Sequence, residues 1–218
     1  MKFDDIAQRY DFLNHLLSAG QDHYWRRAMV RALAPKAGEL ILDLASGTGD
    51  SARAIAKKGA DAVGIDISFN MLSLAKQKLR GLRYSVVQGS GYSMPFRPGT
   101  FDGAVCAFGI RNMQETADAV REIFRVMKKG GRMVFLEFSM PQGMIRRPYL
   151  FYLRKVMPAA AGLFSSRDAY DYLGDSIEKF YSPDAFAQLL RDAGFSRCEK
   201  IGLSMGCVYI HKTYKDEQ

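Results

Sequence analysis

Histidine and cysteine are scarce, three of each in 218 residues. Cys106, Cys198 and Cys207 show no CxxC spacing, and His15, His23 and His211 form no cluster along the chain. A disulfide framework is therefore not expected, nor is a metal site. Such thiol usage fits a reducing compartment, which points to the cytoplasm. No window approaches the roughly 18 consecutive apolar residues of a membrane span. The opening Met1-Lys2-Phe3-Asp4-Asp5 lacks the apolar stretch of a secretory signal. Internal repeats and low-complexity tracts are missing too. Acidic residues are in deficit, 23 against 31 basic ones, for a net charge of +8. That surplus suits nucleic acid, anionic lipid or an acidic substrate, or belongs to a protein that is merely basic.

What is present is a globular composition, 48% hydrophobic and 12% aromatic, long enough for one full-sized core. From residue 39 onward strand-like and helix-like runs alternate, the pattern of βαβ units and a parallel sheet. Strands are expected at Leu40–Ala45, Ala62–Asp66, Tyr84–Val87, Phe101–Phe108, Met133–Phe138, Ser196–Leu203 and Cys207–Lys212, the last two as an antiparallel pair. Lys129-Gly130-Gly131-Arg132 reads as a turn. Helices are expected over Ser51–Lys58, after a Ser68 cap, and over Glu115–Met127 with Val120, Ile123, Phe124 and Val126 on one stripe. The chain then divides into a helical N-terminal cover (1–36), a cofactor-binding core (37–140), an aromatic and basic lid insertion (141–181), and a C-terminal helix and strand pair (182–218). Cover and lid are expected over the carboxyl ends of the strands, where open α/β sheets bind ligands.

The informative run is Asp43-Leu44-Ala45-Ser46-Gly47-Thr48-Gly49-Asp50, which follows a buried strand and opens a helix. Glycines there allow a tight turn and close ligand approach. Asp66 ends the second strand 19 positions after Gly47, where a carboxylate accepts from ribose hydroxyls. Together they indicate an adenosine-containing ligand. S-adenosylmethionine is favoured over NAD because Asp43 and Asp50 suit its positive charges and repel a pyrophosphate. Asp43 also reads as a strand-end residue capping the loop backbone, and both roles can hold. Ala45, Gly47, Thr48 and Gly49 are assigned to the loop, Ile67 and Met71 to the ring or ribose, Ser90 and Gly91 to adenine, and Ala107 to the end of the fourth strand. Met71 reads equally as core.

Several stretches together carry a resemblance: Phe3 to Asp11 with Asn14, Leu17-Ser18-Ala19-Gly20, Trp25-Arg26, Phe108-Gly109-Ile110-Arg111-Asn112, Leu136-Glu137-Phe138-Ser139 and Tyr170-Asp171-Tyr172-Leu173. In these the chain resembles the ubiquinone/menaquinone biosynthesis C-methyltransferases over nearly its whole length. Ser90-Gly91 stands where that family usually has Asp or Asn followed by Ala, and Ala107 where it often has Ser. The resemblance implies a Rossmann-like α/β class I methyltransferase fold: a mostly parallel seven-stranded sheet with an antiparallel last strand, a helical N-terminal segment and a helical lid. It implies S-adenosylmethionine as cofactor and a polyprenylated quinol as acceptor. Arg111 then stabilises the quinol oxyanion, or is tied in a salt bridge to Asp102 or Glu137. Asn112 orients a water or the quinol oxygen. Tyr10, Tyr170 and Tyr172 line the quinol pocket, although plain lid packing suits the last two equally.

A polyprenyl tail implies transient contact with the inner face of the membrane through the basic, aromatic lid, and a homodimer is left open. The shorter N-terminal segment favours demethylmenaquinol. Nucleic acid is not expected as a partner, although an aromatic and basic segment can stack bases. Alternatives are a methyltransferase for another aromatic or isoprenoid acceptor, an NAD-dependent oxidoreductase, and an RNA-binding module.

Overall fold

The computed structural model describes residue 15, residues 18–157 and residues 168–216, the last stretch by backbone alone as far as residue 172. Tyr10 and the side chains of Tyr170 and Tyr172 lie outside the described residues.

Seven strands form one sheet: β1 (Leu40–Leu44), β2 (Asp61–Asp66), β3 (Tyr84–Gln88), β4 (Phe101–Ala107), β5 (Met127–Phe138), β6 (Ser196–Leu203) and β7 (Val208–Tyr214). Their spatial order is β3-β2-β1-β4-β5-β7-β6. β1 pairs in parallel with both β2 and β4, whereas β7 runs antiparallel to both β5 and β6. This is the Rossmann-like α/β arrangement. The antiparallel pair falls where expected, but β7 inserts between β5 and β6. The turn expected at Lys129–Arg132 is instead an excursion inside β5. Register jumps from Phe101↔Met127 to Gly103↔Arg132, with Gly130 at φ 76°.

Period-two alternation builds a core on each face of the sheet. Leu42, Leu44, Ala104 and Cys106 point to one side and Ile41 and Val105 to the other. The first side is covered by α4 (Thr116–Val126), through Ala119, Val120, Ile123 and Val126, and by α7 (Pro183–Asp192), through Phe186 and Leu190. The second is covered by α1 (Gln21–Leu33), through Trp25, Met29, Val30 and Leu33, and by α2 (Asp50–Ala56), through Ala52 and Ile55. So α1 is a sheet-face helix rather than a cover over the strand ends. Its N-terminal half reaches the carboxyl edge, where the Trp25 indole donates to Ser204 Oγ at 2.9 Å. Its last turn lies at the opposite edge, bound by the Arg132 guanidinium.

α3 (Phe69–Lys78) begins at the expected cap, the Ser68 hydroxyl accepting the Met71 N–H at 3.1 Å. The insertion holds α5 (Arg146–Phe151), a π-helical turn (Tyr152–Val156) and α6 (Asp168–Lys179). Leu153, Met157 and Ile177 pack there against Phe138 and Met140.

Candidate active site

Strand order reverses at β1, since β2 lies on one side and β4 on the other, and ligand crevices open at such a switch point. A cleft of about 200 Å³ lies there. Its wall uses Ala45, Gly47, Asp66, Ile67, Met71, Ser90, Gly91, Ala107 and Asn112, nine of the residues expected from sequence. Asp43, Thr48, Gly49 and Arg111 are not part of that wall. Sequence reading missed Tyr92, Phe108 and Met113, which are.

The loop between β1 and α2 is shaped from within. Ala45 and Gly47 take left-handed backbone, φ 52° and 53°, and Gly49 sits at φ 82°. A Cβ on Gly49 would stand 2.5 Å from Leu79 Cδ1, so glycine is required for packing as well as for conformation. Asp66 locks the loop to the end of β2: Oδ2 accepts the Gly47 N–H and Oδ1 the Ser68 N–H, both at 2.9 Å. The same carboxylate lines the cleft.

Asp43 faces the other way. It is buried behind the loop and accepts the Ala52 N–H at 3.0 Å, which makes it the support of α2. Burial pushes its carboxyl up to about 7, although the Arg26 charge and the Ala52 hydrogen bond oppose this. A native pKa above the unfolded value means that the folded state holds the extra proton between roughly pH 4 and 7. The stability this confers is present below pH 4 and is lost as pH rises through 7. Asp43→Asn keeps an oxygen for the Ala52 N–H and removes the titration. Its melting temperature is expected to fall less than that of the wild type between pH 5 and 8, and parallel curves in thermal scans would refute the assignment.

At the far wall the end of β4 meets the end of β1. Phe108 takes φ 59°, rare for a bulky side chain, and Gly109 follows because a Cβ there would stand 2.5 Å from Ala45 Cβ. The Phe108 ring packs with Phe138 and Trp25, centroids 4.6 and 5.9 Å away. Its carbonyl accepts from Arg111 Nη1 at 3.0 Å. Arg111 is buried, its side chain 8% exposed, and its guanidinium pairs with the buried Glu137 at 2.6 Å. Nε reaches Ser176 Oγ of α6 at 3.3 Å, and the cation lies 5.3 Å from the Phe138 ring centre. Of the two salt-bridge partners expected from sequence, Glu137 is the one used; Asp102 binds Lys128 instead. Burial raises the Glu137 carboxyl, and the Arg111 charge opposes the rise.

The departures from the family pattern also have a geometry. Ser90 Oγ accepts the Tyr92 N–H at 3.2 Å, which holds a tight turn. A Cβ on Gly91 would come within 3.1 Å of Met113 Cε and 3.2 Å of Leu44 Cδ1, so Met113 takes up the room that an alanine would need. The sequence also suggested no metal cluster, yet His15, Asp22 and His23 come together with ligand atoms within 4.8 Å of one another. Asp22 there is engaged by His15 Nδ1 at 2.6 Å and by the Ser18 hydroxyl at 3.0 Å.

The cleft's chemistry fits an adenosyl sulfonium. Asp66 offers acceptors for vicinal hydroxyls, while the exposed Ile67 and the mostly buried Met71 offer apolar surface to a ring. No lysine or arginine lines it among the described residues, so a pyrophosphate would find a carboxylate and no cation.

Comparison with known proteins agrees with this geometry. Residues 1–215 match the model of the ubiE/COQ5 methyltransferase family. A demethylmenaquinone methyltransferase of Clavibacter sepedonicus is 41% identical over 216 residues, 98% of this chain and 88% of that protein. A ubiquinone/menaquinone biosynthesis C-methyltransferase of Geotalea uraniireducens is 40% identical over 217 residues, 96% of this chain and 92% of the other. Among solved structures, a SAM-dependent methyltransferase of Thermotoga maritima superposes with a TM-score of 0.72 at 18% identity, covering 99% of both chains. Phosphoethanolamine N-methyltransferase 2 of Haemonchus contortus, solved with S-adenosyl-L-methionine, reaches a TM-score of 0.66 at 16% identity, over 88% of this chain and 52% of that one.

Proposed function

This chain belongs to the ubiE/COQ5 methyltransferase family, and from that premise we propose that its cleft serves an S-adenosylmethionine-dependent C-methyltransferase acting on a ring carbon of a polyprenylated quinol, with demethylmenaquinol, converted to menaquinol, as first choice. The observation that carries this reading is the cleft itself: rimmed by a carboxylate, lined by apolar groups, with no cation among the described residues of its wall, and reaching Asn112 at the end of β4.

Bound S-adenosylmethionine supplies an electrophilic methyl group on a positively charged sulfur. Asp66 would hold the ribose hydroxyls, Ile67 and Met71 would flank the adenosyl group, and Ser90, Gly91 and Tyr92 would border the adenine. Leu44, Ile65, Phe108 and Met113 keep water from the reacting centre. A quinol ring carbon becomes nucleophilic when its neighbouring hydroxyl gives up a proton. Asn112, which faces the cleft, orients that oxygen. Arg111 acts at one remove: engaged by Glu137, it holds the Phe108 carbonyl and so fixes the turn that presents Asn112. Its bond to Ser176 links the same turn to α6 of the insertion.

Among the described residues no helix is long and apolar enough to cross a membrane. The insertion exposes Met144, Phe151 and Val156 beside Arg146, Arg147, Arg154 and Lys155. Such a surface suits transient contact with anionic lipid on the cytoplasmic face, where a polyprenyl tail would be met.

The test is methyl transfer from labelled S-adenosylmethionine to demethylmenaquinol and to a benzoquinol analogue, side by side under reducing conditions. Faster labelling of the naphthoquinol is expected. Cofactor binding without transfer to either would overturn the acceptor, and no cofactor binding would overturn the reading of the cleft.

A further inference from the structure

Two imidazoles and a carboxylate meet at the start of α1, outside the cleft wall. Asp22 and His23 are consecutive on the first turn of the helix, and consecutive helical residues point about 100° apart. His15 sits over that gap. Its Nδ1 lies 2.6 Å from Asp22 Oδ2, and its ring stacks on that of His23, centroids 4.2 Å apart and planes inclined by 31°. One ligand atom from each of the three lies within 4.8 Å of the other two.

The carboxylate is held in place. Asp22 is only 3% exposed. The Ser18 hydroxyl donates to its Oδ1 at 3.0 Å and accepts its N–H at 3.3 Å, which leaves Oδ2 turned to His15. Carboxylates that bind metals are themselves fixed by such outer hydrogen bonds. The helical turn is anchored as well, since Gln21 Oε1 accepts the Ser204 hydroxyl at 2.6 Å. Yet Oδ2 and His15 Nδ1, both buried, have no hydrogen-bond partner among the described residues. They are close without pointing at each other. Ligands of one ion stand in this way, because each lone pair is aimed at the ion and not at the neighbouring ligand. A proton shared between them would demand alignment along the Nδ1–Oδ2 line.

We infer that His15, Asp22 and His23 bind a divalent transition-metal ion of the zinc class, through two imidazole nitrogens and one carboxylate oxygen. Neutral imidazole is the commonest protein ligand for such ions. Tetrahedral ligands about 2.0–2.2 Å from zinc stand roughly 3.3–3.5 Å from one another, so the Nδ1–Oδ2 contact opens a little on binding while the exposed His23 closes in. Three protein ligands leave a fourth position for water on the solvent side. The ion fastens residue 15 to the first turn of α1. Its site stands apart from the cleft and does not depend on the reaction proposed there.

The experiment is titration of the intact, reduced protein with Co²⁺, whose visible absorption is intense in a tetrahedral site and weak in water, followed by displacement with Zn²⁺. A tetrahedral Co²⁺ spectrum is expected, abolished by Zn²⁺ and not by Mg²⁺, which prefers oxygen ligands. His23→Ala should weaken both transition metals by at least about 100-fold, since loss even of an outer partner costs about 10- to 100-fold. Ser18→Ala, which only frees Oδ1, should cost about 10-fold on the same scale. His23 is exposed, so its variant decides the matter even if His15→Ala does not fold. Zn²⁺ should also raise the melting temperature of the wild type and not that of His23→Ala. No tetrahedral spectrum in the wild type, or one that His23→Ala leaves intact, would overturn the site. A spectrum lost in Cys198→Ser or Cys207→Ser would overturn it too, by moving the ion to a thiol.

Discussion

Asp66→Ala should weaken S-adenosylmethionine binding by roughly 100-fold or more. Two hydrogen bonds from ribose hydroxyls to a carboxylate are each worth about 1.5–3 kcal/mol, and every 1.4 kcal/mol is tenfold in affinity. The loss is compounded because the same oxygens hold the Gly47 and Ser68 N–H groups, so the loop between β1 and α2 loses its tie to β2. Asp66→Asn separates the two contributions. Its carbonyl still accepts one backbone N–H, but its amide faces the other donor to donor. It should fall between wild type and alanine in a calorimetric titration with S-adenosylhomocysteine. Affinities within threefold of wild type for both variants would show that the ribose lies elsewhere.

Arg111→Ala is expected to cost about 3–5 kcal/mol of stability, because it strands the buried Glu137 without its counter-charge. For a chain of this size that is roughly 10 °C in melting temperature. Turnover should drop further than cofactor affinity, since the lost contact to the Phe108 carbonyl frees the turn bearing Asn112 while Asp66 is untouched. The double variant Arg111→Met/Glu137→Leu removes both charges and should regain most of the stability without regaining turnover. Chemical denaturation alongside single-turnover kinetics reads both. An alanine variant as stable as wild type, or a double variant with full activity, would end the positioning role.

How much of this was legible beforehand depended on the kind of signal. The loop from Asp43 to Asp50 and the spacing to Asp66 announced a tight glycine turn tied to the end of β2, because glycine and a strand-end carboxylate are demanded locally. The Ser68 cap and the α4 stripe were readable for the same reason. The backbone of the far wall was not, although Ala107 and Asn112 on it were expected. Phe108 and Ala45 adopt positive φ without being glycine, and Gly109 is required only because β1 and β4 end in contact. Nothing in a linear pattern marks such a meeting. Gly130 and Gly131 did signal a break in extended backbone, but pairing of β5 with β4 on both sides of them absorbed it as an excursion. Trp25-Arg26 entered only as part of the resemblance, and the position of Arg26 beside Ser51 emerges only when α1 lies against the sheet.

The placing of β7 bears on how the molecule is made. β5 finds its second neighbour in Val208–Tyr214, the last of the seven strands to emerge during synthesis. Until then its edge, with Phe135 and Leu136, has no partner on that side. A long-range pairing of this kind is slow to close and exposes a sticky intermediate. A nascent chain should therefore gain protease resistance late, and shielding by chaperones should matter most after β5 has left the ribosome and before β7 has.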